Sequence, residues 1–357
     1  QTPTLDALVR EDAVSFSRAF CQNPVCMPSR CSFMTGLYPH TSGKRTFTHS
    51  LHPEKGEPNL LKELKEAGYF VWWSGKNDLI ARQVEGAIES SCSVRFEPKE
   101  SDYARFGHSP QPRYRDDWRG PKDSDTFFSF YAGKYDTGDD SIYCDRDWVD
   151  VFAACELIEN WDSDQPFCLF MALEMPHPDY GVEEPWFSAI DRAKLPPRIS
   201  PLPADRPLAI RKMRETLQME GWSEERWNEL RATYYGMCAR VDHQLGLIIE
   251  ALKKSGQYDD TALLCFSDHG EYAGDYGLVQ KHFVGMDDCL TNVPLVLKPP
   301  KNFPVAPRVS DALVELIDLT ETVYDIAGID PAYRRFGRSL LPVVSGEVNQ
   351  HRDIVFR

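Results

Sequence analysis

Apolar and amphipathic stretches alternate along the chain in a way that predicts helix and strand in turn. Asn59 to Ala67 repeats Leu60, Leu61, Leu64 and Ala67 at helical spacing, with Gly68 as its stop. The short apolar run Tyr69 to Trp73 follows at once and leads into Gly75-Lys76-Asn77-Asp78. Trp148 to Asn160 predicts a helix, and Phe167 to Leu173 a buried strand that delivers Pro176-His177-Pro178. Glu224 to Lys254 carries helical segments, clearest from Tyr234 to Leu252. The buried strand Thr261 to Phe266 then ends in Ser267-Asp268-His269-Gly270-Glu271. At the start of the chain, Thr4 is placed to cap a short helix through Glu11, and Ala13 to Phe16 reads as a strand. Late in the chain, Val293 to Leu297 reads as a strand and Val309 to Ala327 as a helix stopped by Gly328. The alternation argues for an α/β fold with a parallel sheet.

Two stretches break the pattern. Residues 97–147 are rich in Asp, Arg, aromatics, Gly and Pro and hold no sustained period. They read either as an excursion over the active-site face or as an inert surface loop. Residues 196–207 form a proline-rich linker or lid.

Three of the predicted strands end in polar residues: Lys76 and Asp78, then His177, then Asp268 and His269. In open parallel sheets ligands bind beyond the carboxyl ends of the strands, so these residues point to one crevice. The stretch Cys26-Met27-Pro28-Ser29-Arg30, continued to Thr35-Gly36, supplies a helix to line it. Pro28 suits a first helical turn and Gly36 a helix stop. Cys26 then stands at a helix N-terminus, where backbone N–H groups and the dipole favour an anion. Arg30, about one turn on, returns to the same side. An attacking group beside a fixed cation suits transfer of an anionic group. A buried Cys beside a helix cap, or a thiol nucleophile activated by Arg30, fits these five residues too.

Composition narrows the partners. A net charge of -15 over 357 residues argues against nucleic acid and anionic membranes. It also means that an anionic ester must be held by individual Lys and Arg side chains. No apolar run reaches the roughly 18–20 residues of a membrane span. Several of the ten cysteines, Cys168 and Cys265 among them, lie in apolar strand-like runs and read as reduced core residues, which favours a cytoplasmic location.

The Cys26 stretch resembles the sulfatase signature, Cys-x-Pro-Ser-Arg followed by Thr-Gly. Phe266-Ser-Asp-His-Gly-Glu, with Gly277-Leu-Val-Gln-Lys281 after it, is similar to that family's second block. Gly75-Lys76-Asn77-Asp78 resembles its Gly-Lys-x-His, with Asp78 in place of the His, and Pro176-His177 resembles its Pro-His after a strand. Asp318-Leu-Thr-Glu-Thr-Val and Gly337-Arg-Ser-Leu-Leu-Pro extend the resemblance over nearly the whole chain.

The resemblance implies an alkaline-phosphatase-like α/β sandwich with a mainly parallel central sheet, residues 1–357 forming one catalytic domain. It implies a sulfuric ester hydrolase in which Cys26 is oxidised to formylglycine by a formylglycine-generating enzyme. Asp268, His269 and the position-26 side chain are implied ligands of a divalent metal, calcium ahead of magnesium or manganese. Arg30, Lys76 and Lys281 are implied sulfate contacts, His177 the group that protonates the leaving alcohol, and Asp78 a substitute base. The substrate class is a small-molecule or glycan sulfate ester. The family's first strand, with two further metal ligands, and most of its C-terminal subdomain are expected to be missing here. A phosphonate or phosphate ester hydrolase on the same scaffold is the alternative, prompted by Asp78, and a non-catalytic binding homologue is a third reading.

Overall fold

The computed structural model describes residues 1–107, 121, 124–138, 142–199, 206–283 and 285–357. Ten strands are described: β1 (Val14–Phe20), β2 (Phe70–Gly75), β3 (Val94–Arg95), β4 (Tyr131–Lys134), β5 (Phe167–Ala172), β6 (Tyr180–Val182), β7 (Leu263–Phe266), β8 (Asn292–Val293), β9 (Leu295–Lys298) and β10 (Arg308–Glu315). Among the helices, α1 (Pro3–Glu11), α2 (Cys26–Thr35), α3 (Leu60–Glu66), α4 (Arg146–Glu159), α5 (Glu224–Lys254) and α6 (Asp318–Ala327) shape the site or its support.

The strands form three ladders. One runs β10-β1-β9-β7 with β8 also on β1, a second runs β3-β2-β5, and β4 pairs with β6. Pairing is parallel for β1–β10, β2–β3, β2–β5 and β4–β6, and antiparallel where β8, β9 and β7 join. This is an α/β fold in which parallel pairing predominates.

Side chains alternate across β2 and so feed two cores. Trp73 packs with Val14, Phe16, Met34, Leu61, Leu295, Val314 and Tyr324, which joins α2, α3 and α6 to one face. Its neighbour Trp72 packs with Val151, Ile158, Ile248 and Leu252, which joins α4 and α5 to the other. Helices on both faces give the sandwich its layers.

Most predicted elements appear within a few residues of their expected bounds, and the helical segments expected over Glu224 to Lys254 are one continuous α5. Two expectations are corrected. Val309 to Ala327 is not one helix: its first half is β10, paired along β1, and only Asp318–Ala327 is helical. In β10 the buried residues Ser310, Ala312 and Val314 alternate with exposed Val309 and Asp311, a period of two that the neighbouring apolar residues masked. Thr4 does not cap α1. The helix starts at Pro3, and the buried Asp242 of α5 accepts the Thr4 and Leu5 N–H groups instead, both at 2.9 Å.

Parts of the 97–147 stretch (108–120, 122–123 and 139–141) and residues 200–205 of the proline-rich stretch lie outside the described residues. What is described of the first stretch includes β4, whose partner β6 directly follows His177. Tyr135 donates to Asp179 at 2.5 Å in the same region. None of the ten cysteines forms a disulfide among the described residues. Among the described residues no helix is long and apolar enough to cross a membrane.

Candidate active site

Cys26 is the first residue of α2 and is 2% exposed. Gly36 ends the helix in the left-handed conformation, φ 68°, as the sequence predicts. The residues at the ends of β2, β5 and β7 meet around Cys26. Its Sγ lies 3.1 Å from His269 Nε2, and Lys76 Nζ donates to it at 3.5 Å. Lys281 Nζ and His177 Nε2 stand 2.6 Å apart. Asp78 pairs with Lys76 at 3.0 Å. All eight predicted site residues thus belong to one constellation.

Close backbone approaches bring the strand ends together. Gly75 has φ +76°, and a Cβ there would fall 2.0 Å from the Ala172 carbonyl oxygen of β5. Gly270 is equally confined, with a would-be Cβ 2.0 Å from the Cys289 carbonyl oxygen. Glycine is the residue that both positions permit.

Arg30 lies on the Cys26 side, as its helix position suggests, but its hydrogen bonds go to protein groups. Its Nε donates to Asp268 Oδ2 at 2.7 Å and its Nη1 to the Lys76 carbonyl at 3.1 Å. It therefore braces the ends of β7 and β2 from below. Ser29, which sequence reasoning gave no role, donates its hydroxyl to the Asp268 carbonyl at 2.5 Å. Its only sequence signal is its place inside the Cys26 motif. Glu271 is a second unpredicted member: it is hydrogen-bonded with Tyr180, whose hydroxyl accepts the Gln280 N–H at 2.9 Å, next to Lys281.

Electrostatics follow from this packing. Burial works against ionised Asp268, but His269 and Arg30 more than offset it and hold the carboxyl well below its usual range. Burial would lower His269, yet Asp268 and Cys26 raise it. The Cys26 thiol is lowered despite burial, chiefly by its His269 hydrogen bond. Lys76 is raised, since Cys26 and Asp78 outweigh its desolvation. His177 is pushed down to about 2 by burial, then by Lys281 and Lys76.

Cys26, Asp268 and His269 form the metal-capable cluster among the described residues, their ligand atoms within 4.8 Å of one another. An ionised carboxylate and an imidazole fit part of a divalent shell. A calcium ion takes six to eight oxygen ligands, so these residues supply a share of it.

A family model described as sulfatase matches residues 1–329. The chain belongs to the sulfatase family. Sulfatases of that family are sulfuric ester hydrolases. Among its relatives, a choline-sulfatase of Rhizobium meliloti is 28% identical over 96% of this chain and 67% of its own length. An arylsulfatase K of Xenopus laevis is 25% identical over 96% of this chain and 62% of its own. The chain therefore spans about two thirds of such relatives. In three dimensions, a phosphonate monoester hydrolase from Silicibacter pomeroyi superposes with a TM-score of 0.74 and 25% identity, over 98% of this chain and 72% of that one.

Proposed function

We propose that this sulfatase-family chain hydrolyses a sulfate ester to an alcohol and inorganic sulfate at the Cys26 position, with Cys26 converted to formylglycine. The observation that carries the reading is the Cys26 side chain at the start of α2, within 3.1 Å of His269 and 3.5 Å of Lys76. Once oxidised and hydrated, that position would present an oxygen nucleophile where a thiol now stands. A divalent cation, calcium ahead of magnesium or manganese, held by Asp268, His269 and the position-26 side chain, would lower the nucleophile's pKa and offset developing charge.

The chain's own residues supply the rest. Lys76 and Lys281 hold sulfate oxygens by charge-assisted hydrogen bonds. Arg30 keeps Asp268 ionised and aimed, and adds positive field under the sulfate. The Lys281–His177 pair delivers the proton that the departing alcohol needs. Asp78, on the far side of Lys76, accepts the proton released when the site is reset. The substrate is a small-molecule or glycan sulfate ester, and maturation calls for a formylglycine-generating enzyme.

The test is the mass of the Cys26 peptide from protein co-expressed with such an enzyme, read together with turnover of an aryl sulfate. Conversion removes roughly 18 Da, the difference between CH2SH and CHO side chains, and the Cys26→Ala variant loses turnover by at least about a thousandfold, the scale of a lost nucleophile. An unshifted peptide, or an alanine variant that keeps full rate, defeats the proposal.

The resemblance to a phosphonate monoester hydrolase, together with Asp78 beside Lys76, supports phosphonate or phosphate ester hydrolysis as a second reading. Rates on matched aryl sulfate, phosphate diester and phosphonate esters separate the two.

A further inference from the structure

The structure assigns Asp147 the role of positioning residue for His177, an inference that rests on the Lys281–His177 pair protonating the leaving group. Asp147 is the second residue of α4 and has no exposed surface. Its two carboxylate oxygens accept the N–H groups of Glu174 and Met175, each at 2.8 Å. These two residues end the approach from β5 to Pro176 and His177. Pro176 has no N–H, and the His177 N–H closes back on the Glu174 carbonyl at 2.8 Å. One carboxylate thus fixes both the position and the direction of the turn that presents the imidazole. The ring is then oriented by Nδ1–H donating to the Pro178 carbonyl at 2.6 Å, which aims Nε2 at Lys281.

The support for Asp147 is itself buried and ionic. Asp145 caps α4 by accepting the Trp148 N–H at 3.2 Å and also accepts Arg240 Nη2 at 2.5 Å. Arg240 Nη1 reaches Glu183 at 3.1 Å, and Glu183 accepts the Trp148 indole N–H at 2.9 Å. The start of α4 therefore fastens the His177 loop on both sides, through Glu174 and Met175 before it and Glu183 after it. Among the described residues, no hydrogen bond joins this network to Cys26, Lys76, Arg30 or Asp268.

That separation makes the role measurable. Loosening Asp147 moves the proton donor and leaves the sulfate-holding side in place. An asparagine keeps one acceptor and turns an NH2 toward a backbone N–H, which leaves a buried donor unpaired. A nitrophenolate leaves readily without a proton, whereas phenolate and alkoxide groups need one.

The experiment uses the matured full chain and a series of esters from nitrophenyl to phenyl to alkyl, on whichever ester class it turns over. In Asp147→Asn we expect kcat to fall at least about tenfold for the poorest leaving group and less than about twofold for the nitrophenyl ester, a fraction of the 10²–10⁴ that acid–base catalysis supplies. KM stays unchanged, and the substitution adds no further loss in a His177→Ala background. A uniform loss across the series, or full additivity with His177→Ala, overturns the inference while leaving the leaving-group reading intact. A His177→Ala variant whose own losses are uniform removes that reading, and the inference with it. Asp147→Glu, which keeps the charge but displaces it by a methylene, is read by the same criteria. If neither variant accumulates as folded protein, Asp147 is a structural residue and the proposal falls.

Discussion

Lys281 and His177 are 104 residues apart in the chain, yet the Lys281 ammonium donates to His177 Nε2 across 2.6 Å. The contact fixes the chemistry of the imidazole. Nδ1 carries the proton, because it faces the Pro178 carbonyl, and Nε2 keeps its lone pair for the lysine. Burial, then the Lys281 and Lys76 ammonium groups, oppose a second proton on the ring.

His177 should therefore be the neutral Nδ1–H tautomer throughout pH 5–8. Ring 15N shifts of histidine-labelled protein check this directly. Lys281→Met removes one of the charges that push His177 down to about 2, so its titration should move upward. An unchanged titration in that variant would show that the lysine does not govern the ring.

Asp78 neutralises Lys76 at 3.0 Å, with both side chains about a quarter exposed. A pair of that exposure is worth at most about 1 kcal/mol, roughly fivefold in an equilibrium constant. Asp78→Asn frees the ammonium, so inorganic sulfate should inhibit several-fold more tightly while kcat falls for want of a base. Inhibition titrations read the first effect and steady-state rates the second. Unaltered sulfate inhibition would mean that Lys76 does not hold the anion.

Gly75→Ala should be severe although it adds one methyl group. The left-handed conformation costs an L-residue about 1–2 kcal/mol, and the added carbon would overlap the Ala172 carbonyl. Relief requires β2 and β5 to part at the ends that carry Lys76 and the His177 turn. We expect a loss of more than about 2 kcal/mol in denaturant unfolding and a larger proportional loss of activity. A variant as stable and active as the parent would show that the two strand ends are not so closely apposed.

Asp150 carries a pH signature. Desolvation pushes its carboxyl up to about 8. In the unfolded chain it ionises near 4. Between those values the folded state holds a proton that the unfolded state has lost, so stability falls as pH rises, by up to about 1.4 kcal/mol per unit. Asp150→Asn should abolish that slope: little change in Tm at pH 4 and a clear gain at pH 8. A variant equally destabilised at both pH values would mean that the carboxyl is charged in the native protein.

The strand-end residues were legible because short apolar runs, each followed at once by Lys, His or Asp, need only local pattern plus the rule that ligands gather at carboxyl ends. Cys26 was legible from its place ahead of Pro28 and Gly36. β10 was not, because Leu313, Val314, Leu316 and Ile317 satisfy a helical period as well as a strand. Its pairing with β1, nearly three hundred residues earlier (Val14 opposite Arg308), is what decides. Asp147, Glu183 and Arg240 were hidden for another reason. Charged residues read as surface until their partners are known, and these partners lie far off in the chain. Arg30 was placed on the right side of its helix, but nothing local indicates that its guanidinium belongs to Asp268.

The central position of β1 sets an order of events in time. Its ladder partners are β10, β8 and β9, all made from Asn292 onward. A strand whose partners are so distant forms late, since loop closure must precede the contacts that reward it. During synthesis the segment around Cys26 therefore leaves the ribosome long before β1 can be locked in place, some three hundred residues before β10 is made. In the folded chain Cys26 is 2% exposed. Any agent that must reach the Cys26 sulfur as a linear peptide has the interval of translation in which to act, and slower elongation between Phe20 and Glu315 lengthens that interval.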